Sequence, residues 1–450
     1  MHDGTAAGDN PGHPGSLDLL RHPATIRARC RAVHDAVADE RSAWFRLDPD
    51  RLDDAAARVA ALTRQRFPDL KVPPHSRWRH FESGGVNRAA ELDALLAARS
   101  TTEAARARID LAVVSVLLDA GAGPAWRYTD SDGRTYSRSE GLGVASFRAF
   151  MAGRFSAIEG EPLRADAGVL ARLDAAALSA IFQVGADNPM VGLEGRAALL
   201  ARLGERLAAA PATASWPQRP GQLFDRLAGR IEHRQRKDAK TPTQVTGAEL
   251  LAEVLALTDG VFTQGTPVMG RGVGDVWAHR WAGSAVAGGG HDPVTIGVVP
   301  FHKLSQWLSY SLLEPLAAAS IAVDMGTRGI GGADARHDQG AGDHGLTGLP
   351  EYRNGGLLLD TGVIVPRDPR LVQRRFKPGD EPIVEWRALT VVLLDELAGR
   401  VRTRLGVSEA ELPLAGVLEG GTWAAGRQIA LERREGGVPP LVIDSDGTVF

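Results

Sequence analysis

Apolar residues recur at three- and four-residue spacing along most of this chain. That period predicts helices over 25–38, 51–66, 87–98, 102–119, 142–151, 170–182, 196–209, 222–231, 248–257, 303–313, 383–405 and 421–432. Several have a start signal: Thr101 and Thr102 precede Glu103, Asp50 precedes Arg51, and Thr246 stands three residues before Glu249 in a capping-box pattern. The two-residue period of strands is scarce. Trp126–Tyr128 and Arg134–Tyr136 flank Asp130-Ser131-Asp132-Gly133, where Asp-Gly suits a tight hairpin. Leu441–Ile443 and Thr448–Phe450 repeat that layout around Asp446-Gly447, and Leu357–Val365, closed by Pro366, reads as a further strand. The expected fold class is mainly α with small β-hairpins.

With 450 residues, 44% of them hydrophobic, the chain can bury a large core. Residues 1–16 read as a disordered tail rich in Gly, Pro, Asp and Ala, without the apolar centre of a secretory signal. The best break is Pro211–Pro220. It sets a helical region 17–210, with the hairpin 126–136, before a helical region 221–450 that carries the candidate site; one compact unit is the alternative. No repeat of fixed period divides the chain, and no apolar run reaches the roughly twenty residues that span a bilayer. A net charge of -3, from 52 basic and 55 acidic residues, supplies no cationic field, which argues against a nucleic-acid partner. The run Arg230–Lys237 is interrupted by Glu232 and reads as the solvated end of a helix. With a single cysteine, Cys30, neither a disulfide framework nor a thiolate metal cluster is available, which fits a cytoplasmic location.

The densest chemistry lies in Leu346-Thr347-Gly348-Leu349-Pro350-Glu351-Tyr352-Arg353-Asn354-Gly355-Gly356. A carboxylate, a phenol and a guanidinium stand consecutively between a proline and two glycines, and a carboxylate beside a guanidinium stays ionised at neutral pH. An ordinary surface turn is the competing reading. Upstream, Lys303 opens a helix after Pro300 with His302 beside it, so Lys303, Gln306 and Trp307 share one face. Glu385 and Arg387 begin a long apolar helix and serve equally as a buried brace or as ligand contacts. Trp126 is placed to stack on a planar group, although a tryptophan at the foot of a hairpin is more often core. Asp334, His337, Asp338, Asp343 and His344 offer metal-ligating types, but their spacing matches no zinc motif and they lie in the glycine-rich stretch 324–345. Gly270-Arg271-Gly272-Val273-Gly274 lacks the strand and spacing of a dinucleotide fingerprint.

From about Leu19 to Phe450 the chain resembles a family of uracil-catabolism proteins, the fourth component of a pathway of fungi and bacteria. The motifs are the 346–356 stretch, Phe81–Arg88, Val299–Leu308 and Glu385–Thr390. More remotely, the 126–136 hairpin, Phe301-His302-Lys303-Leu304-Ser305-Gln306 and Glu351-Tyr352-Arg353, followed by the Glu385–Arg387 helix, resemble the salvage enzyme that hydrolyses queuosine 5'-phosphate at its N-glycosidic bond. That likeness implies a DNA-glycosylase-like helical core, Glu351 as the catalytic acid and Lys303 as its partner. The salvage enzyme has Asp where this chain has the longer Glu351, which leaves open whether the carboxylate acts directly or through water.

The expectation is an enzyme of uracil breakdown that cuts the N-ribosidic bond of a ribosylurea phosphate and releases urea. Glu351 and Lys303 are the expected catalytic residues, and Arg353, Tyr352, Asn354, His302, Gln306, Trp126, Glu385 and Arg387 the substrate contacts. No metal or organic cofactor is called for. The expected partner is a small ribosyl phosphate rather than nucleic acid or membrane. The alternatives are a metal-dependent amidohydrolase acting on an open-chain ureide, and a non-catalytic scaffold protein of the same pathway.

Overall fold

The computed structural model describes residues 15–119, 121–209, 218–326 and 344–444. Most of the 1–16 tail, most of the Pro211–Pro220 break and the strand at 448–450 lie outside them. So do Asp334, His337, Asp338 and Asp343.

Within the described residues the fold is mainly helical, with five two-stranded ribbons at its margins. The long helices follow the apolar period: Pro23–Ala38, Arg51–Arg66, Thr101–Leu117, Arg138–Met151, Leu193–Ala208, Lys303–Ala318 and Glu381–Leu405. Their buried faces join one apolar core that runs from Ile26 to Leu441, so residues on both sides of 210–217 contribute to it. No helix among the described residues is long and apolar enough to cross a membrane.

The start signals act as expected at Thr246, whose hydroxyl accepts from Glu249 N while Glu249 returns the bond to Thr246 N. At the 101–117 helix the cap is Ser100. The 126–136 hairpin forms, with Tyr128 opposite Tyr136, Thr129 opposite Thr135, and Gly133 at φ 81° in the turn. Arg230–Lys237 is the end of the Leu223–Lys237 helix, and Arg226 and Arg230 both pair with Glu253.

Two expectations are corrected. The apolar run after Gly356 forms the helix Tyr352–Asp360, and only Ile364–Pro366 is strand, paired antiparallel with Phe45–Leu47. A short apolar run has no decisive period, and here the Glu351 cap settles it in favour of helix. The 170–182 prediction splits into Ala167–Leu170 and Ala175–Ile181, because Asp174 caps a new helix by accepting from Ala177 N. Val442–Ile443 pairs in parallel with Arg375–Phe376, and the other half of the hairpin expected there lies outside the described residues.

Candidate active site

The two densest motifs are bolted together by one side chain. Gln306, on the Lys303–Ala318 helix, accepts from Thr347 N at 2.8 Å through Oε1. Its Nε2 donates to Thr347 Oγ1 at 2.7 Å and to Phe301 O at 2.9 Å. Tyr310, one turn on, donates to Thr347 O at 3.0 Å. From the other side Arg27 donates to Gly345 O and Leu346 O at 2.6 and 2.7 Å. The extended 345–350 segment is therefore fixed along its length, and it delivers Glu351 to the start of the next helix. The amide of Gln306, expected on the substrate, gives both N–H groups to this clamp and accepts one bond in it.

Glu351 has extended backbone and caps the Tyr352–Asp360 helix, its two carboxylate oxygens accepting from Arg353 N and Asn354 N at 2.7 Å each. Gly355 is required one turn later, because a Cβ there would lie 2.7 Å from the Trp386 indole, whose Nε1 donates to Gly355 O. Burial raises the Glu351 pKa above the ordinary carboxylate range; the two backbone N–H groups and then the Lys303 charge oppose the rise. Lys303 is half-buried at the start of its own helix. Burial lowers its pKa, and the Glu351 charge, the strongest of the charges upon it, works to raise it. Two helix starts thus place a carboxylate and an ammonium within electrostatic reach of each other.

The start of the lysine helix is braced from beneath. Asp275 accepts from both terminal nitrogens of Arg387, from Trp277 Nε1 at 2.7 Å and from Lys303 N at 3.0 Å. Burial alone would raise the Asp275 pKa, but the Arg387 charge and these donors outweigh it and bring it to about 2. Arg387 is buried here and stacks over Phe301, its Cζ 4.0 Å from the ring centroid. It acts as a brace for Lys303, and its acid is Asp275 rather than Glu385. Glu385 is buried elsewhere, accepting from Ser42 Oγ with His279 Nε2 at 3.5 Å.

Other expected contacts are also placed. Arg353 is buried, donates to Gly437 O at 2.8 Å and lies over the Tyr352 ring. Tyr352 is half-buried, and its hydroxyl pKa is raised, burial being the largest cause. Asn354 is buried; Nδ2 donates to Leu349 O, and Oδ1 has no partner among the described residues. His302 adopts a left-handed φ of 47° and turns away from Lys303, into a cleft lined by Arg21, Thr258, Asp259, Gly274 and Asp275. Burial lowers its pKa to about 4. Trp126 is buried against Phe182, to whose carbonyl it donates at 2.9 Å, so it serves as core. His344 pairs with Asp324 at 3.2 Å.

Sequence reasoning missed Asp119 and Arg77. Asp119, at the end of the Thr101–Leu117 helix, acts electrostatically on both Lys303 and Tyr352. It is paired with the buried guanidinium of Arg77 at 2.8 Å. The polar and aromatic density of His75-Ser76-Arg77-Trp78-Arg79-His80-Phe81 was the available signal. The result is a polar cluster at helix ends in which Glu351, Tyr352 and Lys303 interact electrostatically, Asp119 acts on Lys303 and Tyr352, and Arg77 pairs with Asp119. It can orient a small polar molecule and hold a carboxylate beside a developing positive charge.

A family model described as "Protein of unknown function (DUF1688)" matches residues 19–450. "Protein urg3" of Schizosaccharomyces pombe is 35% identical, over 94% of this chain and 96% of its own length. "Uracil catabolism protein 4" of Lachancea kluyveri is 33% identical, over 98% of this chain and 99% of its own.

Proposed function

Since this chain belongs to the DUF1688 family, to which the "Uracil catabolism protein 4" relative ties uracil breakdown, we propose that it is a uracil-catabolism enzyme that hydrolyses the N-ribosidic bond of a ribosylurea phosphate. The observation that carries the reading is that Glu351 and Lys303 each stand at a helix start within electrostatic reach of one another, their segments joined by the Gln306–Thr347 clamp.

In the proposed reaction the bond between the ureido nitrogen and the ribose C1' breaks, its electron pair leaving with nitrogen, and a water oxygen bonds to C1'. The proton released by water ends on the departing nitrogen, so the products are urea and ribose phosphate. The ionised Glu351 carboxylate supports the oxocarbenium-like state or takes the water proton. Lys303 keeps Glu351 ionised and supplies the cation for the substrate phosphate. Tyr352 faces the ribose hydroxyls, and Arg353 acts by supporting Tyr352. The helical walls around these residues support the reading of a DNA-glycosylase-like core. Purified protein is incubated with ribosylurea phosphate and urea is assayed: release well above the blank is expected, and none would overturn the proposal.

A further inference from the structure

Two buried hydrogen-bond donors on neighbouring side chains, Arg77 and Trp307, are without partners among the described residues. Arg77 is held on three sides: Nε donates to Ser115 Oγ at 2.7 Å, and Nη1 meets Asp119 at 2.8 Å, His80 Nδ1 at 3.1 Å and Ser139 O at 3.2 Å. Its Nη2 has no partner among the described residues, although the side chain is fully buried. The indole Nε1 of Trp307, a residue 6% exposed, is likewise without a partner. The Arg77 Cζ lies 5.7 Å from the Trp307 ring centroid, and His80 meets the same ring edge-on. Trp307 is one helical turn beyond Lys303 on the same face. Leaving a buried N–H unpaired is costly, so a pair of them beside a candidate site is a signature of something absent that accepts.

The charges narrow what that is. Asp119 already pairs with Arg77, so the subsite offers donors with little net positive charge. A phosphate dianion there would meet the Asp119 carboxylate that pairs with Arg77, whereas a neutral carbonyl oxygen would accept from the two N–H groups without that repulsion. We propose that Arg77 and Trp307 form a donor subsite for a neutral amide-type carbonyl, the ureido oxygen of the leaving group. This rests on the reaction proposed above. As the N–C1' bond breaks, the electron pair left on the ureido nitrogen delocalises onto its carbonyl oxygen. Arg77 Nη2 and Trp307 Nε1 receive that charge before the nitrogen takes its proton.

The test compares ribosylurea phosphate with ribose 5-phosphate, which lacks the carbonyl, in Glu351→Gln protein with and without Trp307→Phe. Calorimetric binding should weaken about fivefold to tenfold for ribosylurea phosphate, the weight of one neutral hydrogen bond, and stay within about twofold for ribose 5-phosphate. In the Glu351→Gln protein the Trp307 indole N–H resonance should shift with the first ligand and not with the second. Equal weakening for both ligands, weakening for neither, an unmoved indole resonance, or no binding of ribosylurea phosphate would each overturn the subsite. Should Trp307→Phe fail to fold, Arg77→Lys is read in the same way. Selective weakening without urea release by the unmodified protein would leave the subsite standing and remove the reaction; urea release with an unchanged ligand ratio would do the reverse.

Discussion

Arg387 meets Asp275 end-on, with both terminal nitrogens donating at 2.8 and 2.7 Å between two buried side chains. Asp275 also accepts from the first N–H of the helix that carries Lys303, so this ion pair fixes where that lysine begins.

Asp275→Asn leaves the Arg387 charge buried without its counter-charge and should cost about 3–5 kcal/mol in chemical denaturation. The same pair sets an acid limit. The folded pKa of about 2 lies below the unfolded value of about 3.9, so on the order of 2–3 kcal/mol is present at neutral pH and is lost as pH falls from about 4 to about 2. Denaturation midpoints measured across that window check it, and the Asn variant should show a shallower fall.

Glu351→Gln keeps one oxygen for the helix cap but turns its amide nitrogen toward the second backbone N–H, so a stability loss of about 1–3 kcal/mol is expected. Urea release from ribosylurea phosphate should fall at least about 100-fold. A scaffold role predicts instead that the variant still supports growth on uracil as nitrogen source, and that outcome would end the catalytic reading of Glu351.

Turnover should follow a bell in pH. Activity needs Glu351 ionised and Lys303 protonated. Burial raises the first pKa and lowers the second, so the acid limb lies above the ordinary carboxylate range and the alkaline limb below the ordinary lysine range. Lys303→Arg should carry the alkaline limb upward, read from kcat/KM across pH.

Gly426 sits where a Cβ would be 2.0 Å from Arg353 O, so Gly426→Ala should push the helix behind Glu351 aside. A loss of at least about 2 kcal/mol is expected, together with reduced turnover, though Gly426 lies behind the Tyr352–Asp360 helix. Gly229→Ala, in a helix with open space around it, is the control and should stabilise by about 0.5–1 kcal/mol.

Trp126→Phe should cost about 1–3 kcal/mol, through the lost bond to Phe182 O and reduced packing, and leave kcat and KM unchanged. A change in KM alone would return Trp126 to the ligand.

What the sequence made legible was local. Residues 51–66 form one helix as predicted, and Thr246 caps with Glu249, because period and capping act within one or two turns. Glu351 and Lys303 stood out by composition, yet their relation depends on Gln306 reaching Thr347, and nothing in a linear reading says that an amide four residues before a tyrosine will clamp a distant segment. Gln306, Arg387 and Arg353 each bond the backbone or a buried acid, and Arg387 takes the brace role the sequence allowed with Asp275 in place of Glu385, a partner no spacing along the chain indicates. Arg77 and Asp119 escaped notice because their pairing bridges a short helix and the end of a long one, with no motif spacing to announce it.

The Gln306–Thr347 clamp spans 41 positions of chain. Its first part is the Lys303–Ala318 helix, whose Tyr310 adds a second bond to Thr347 one turn on. Two attachments one turn apart resist rotation as well as separation, so a displacement of this helix would carry Thr347, and the Glu351 that follows it, along with Lys303.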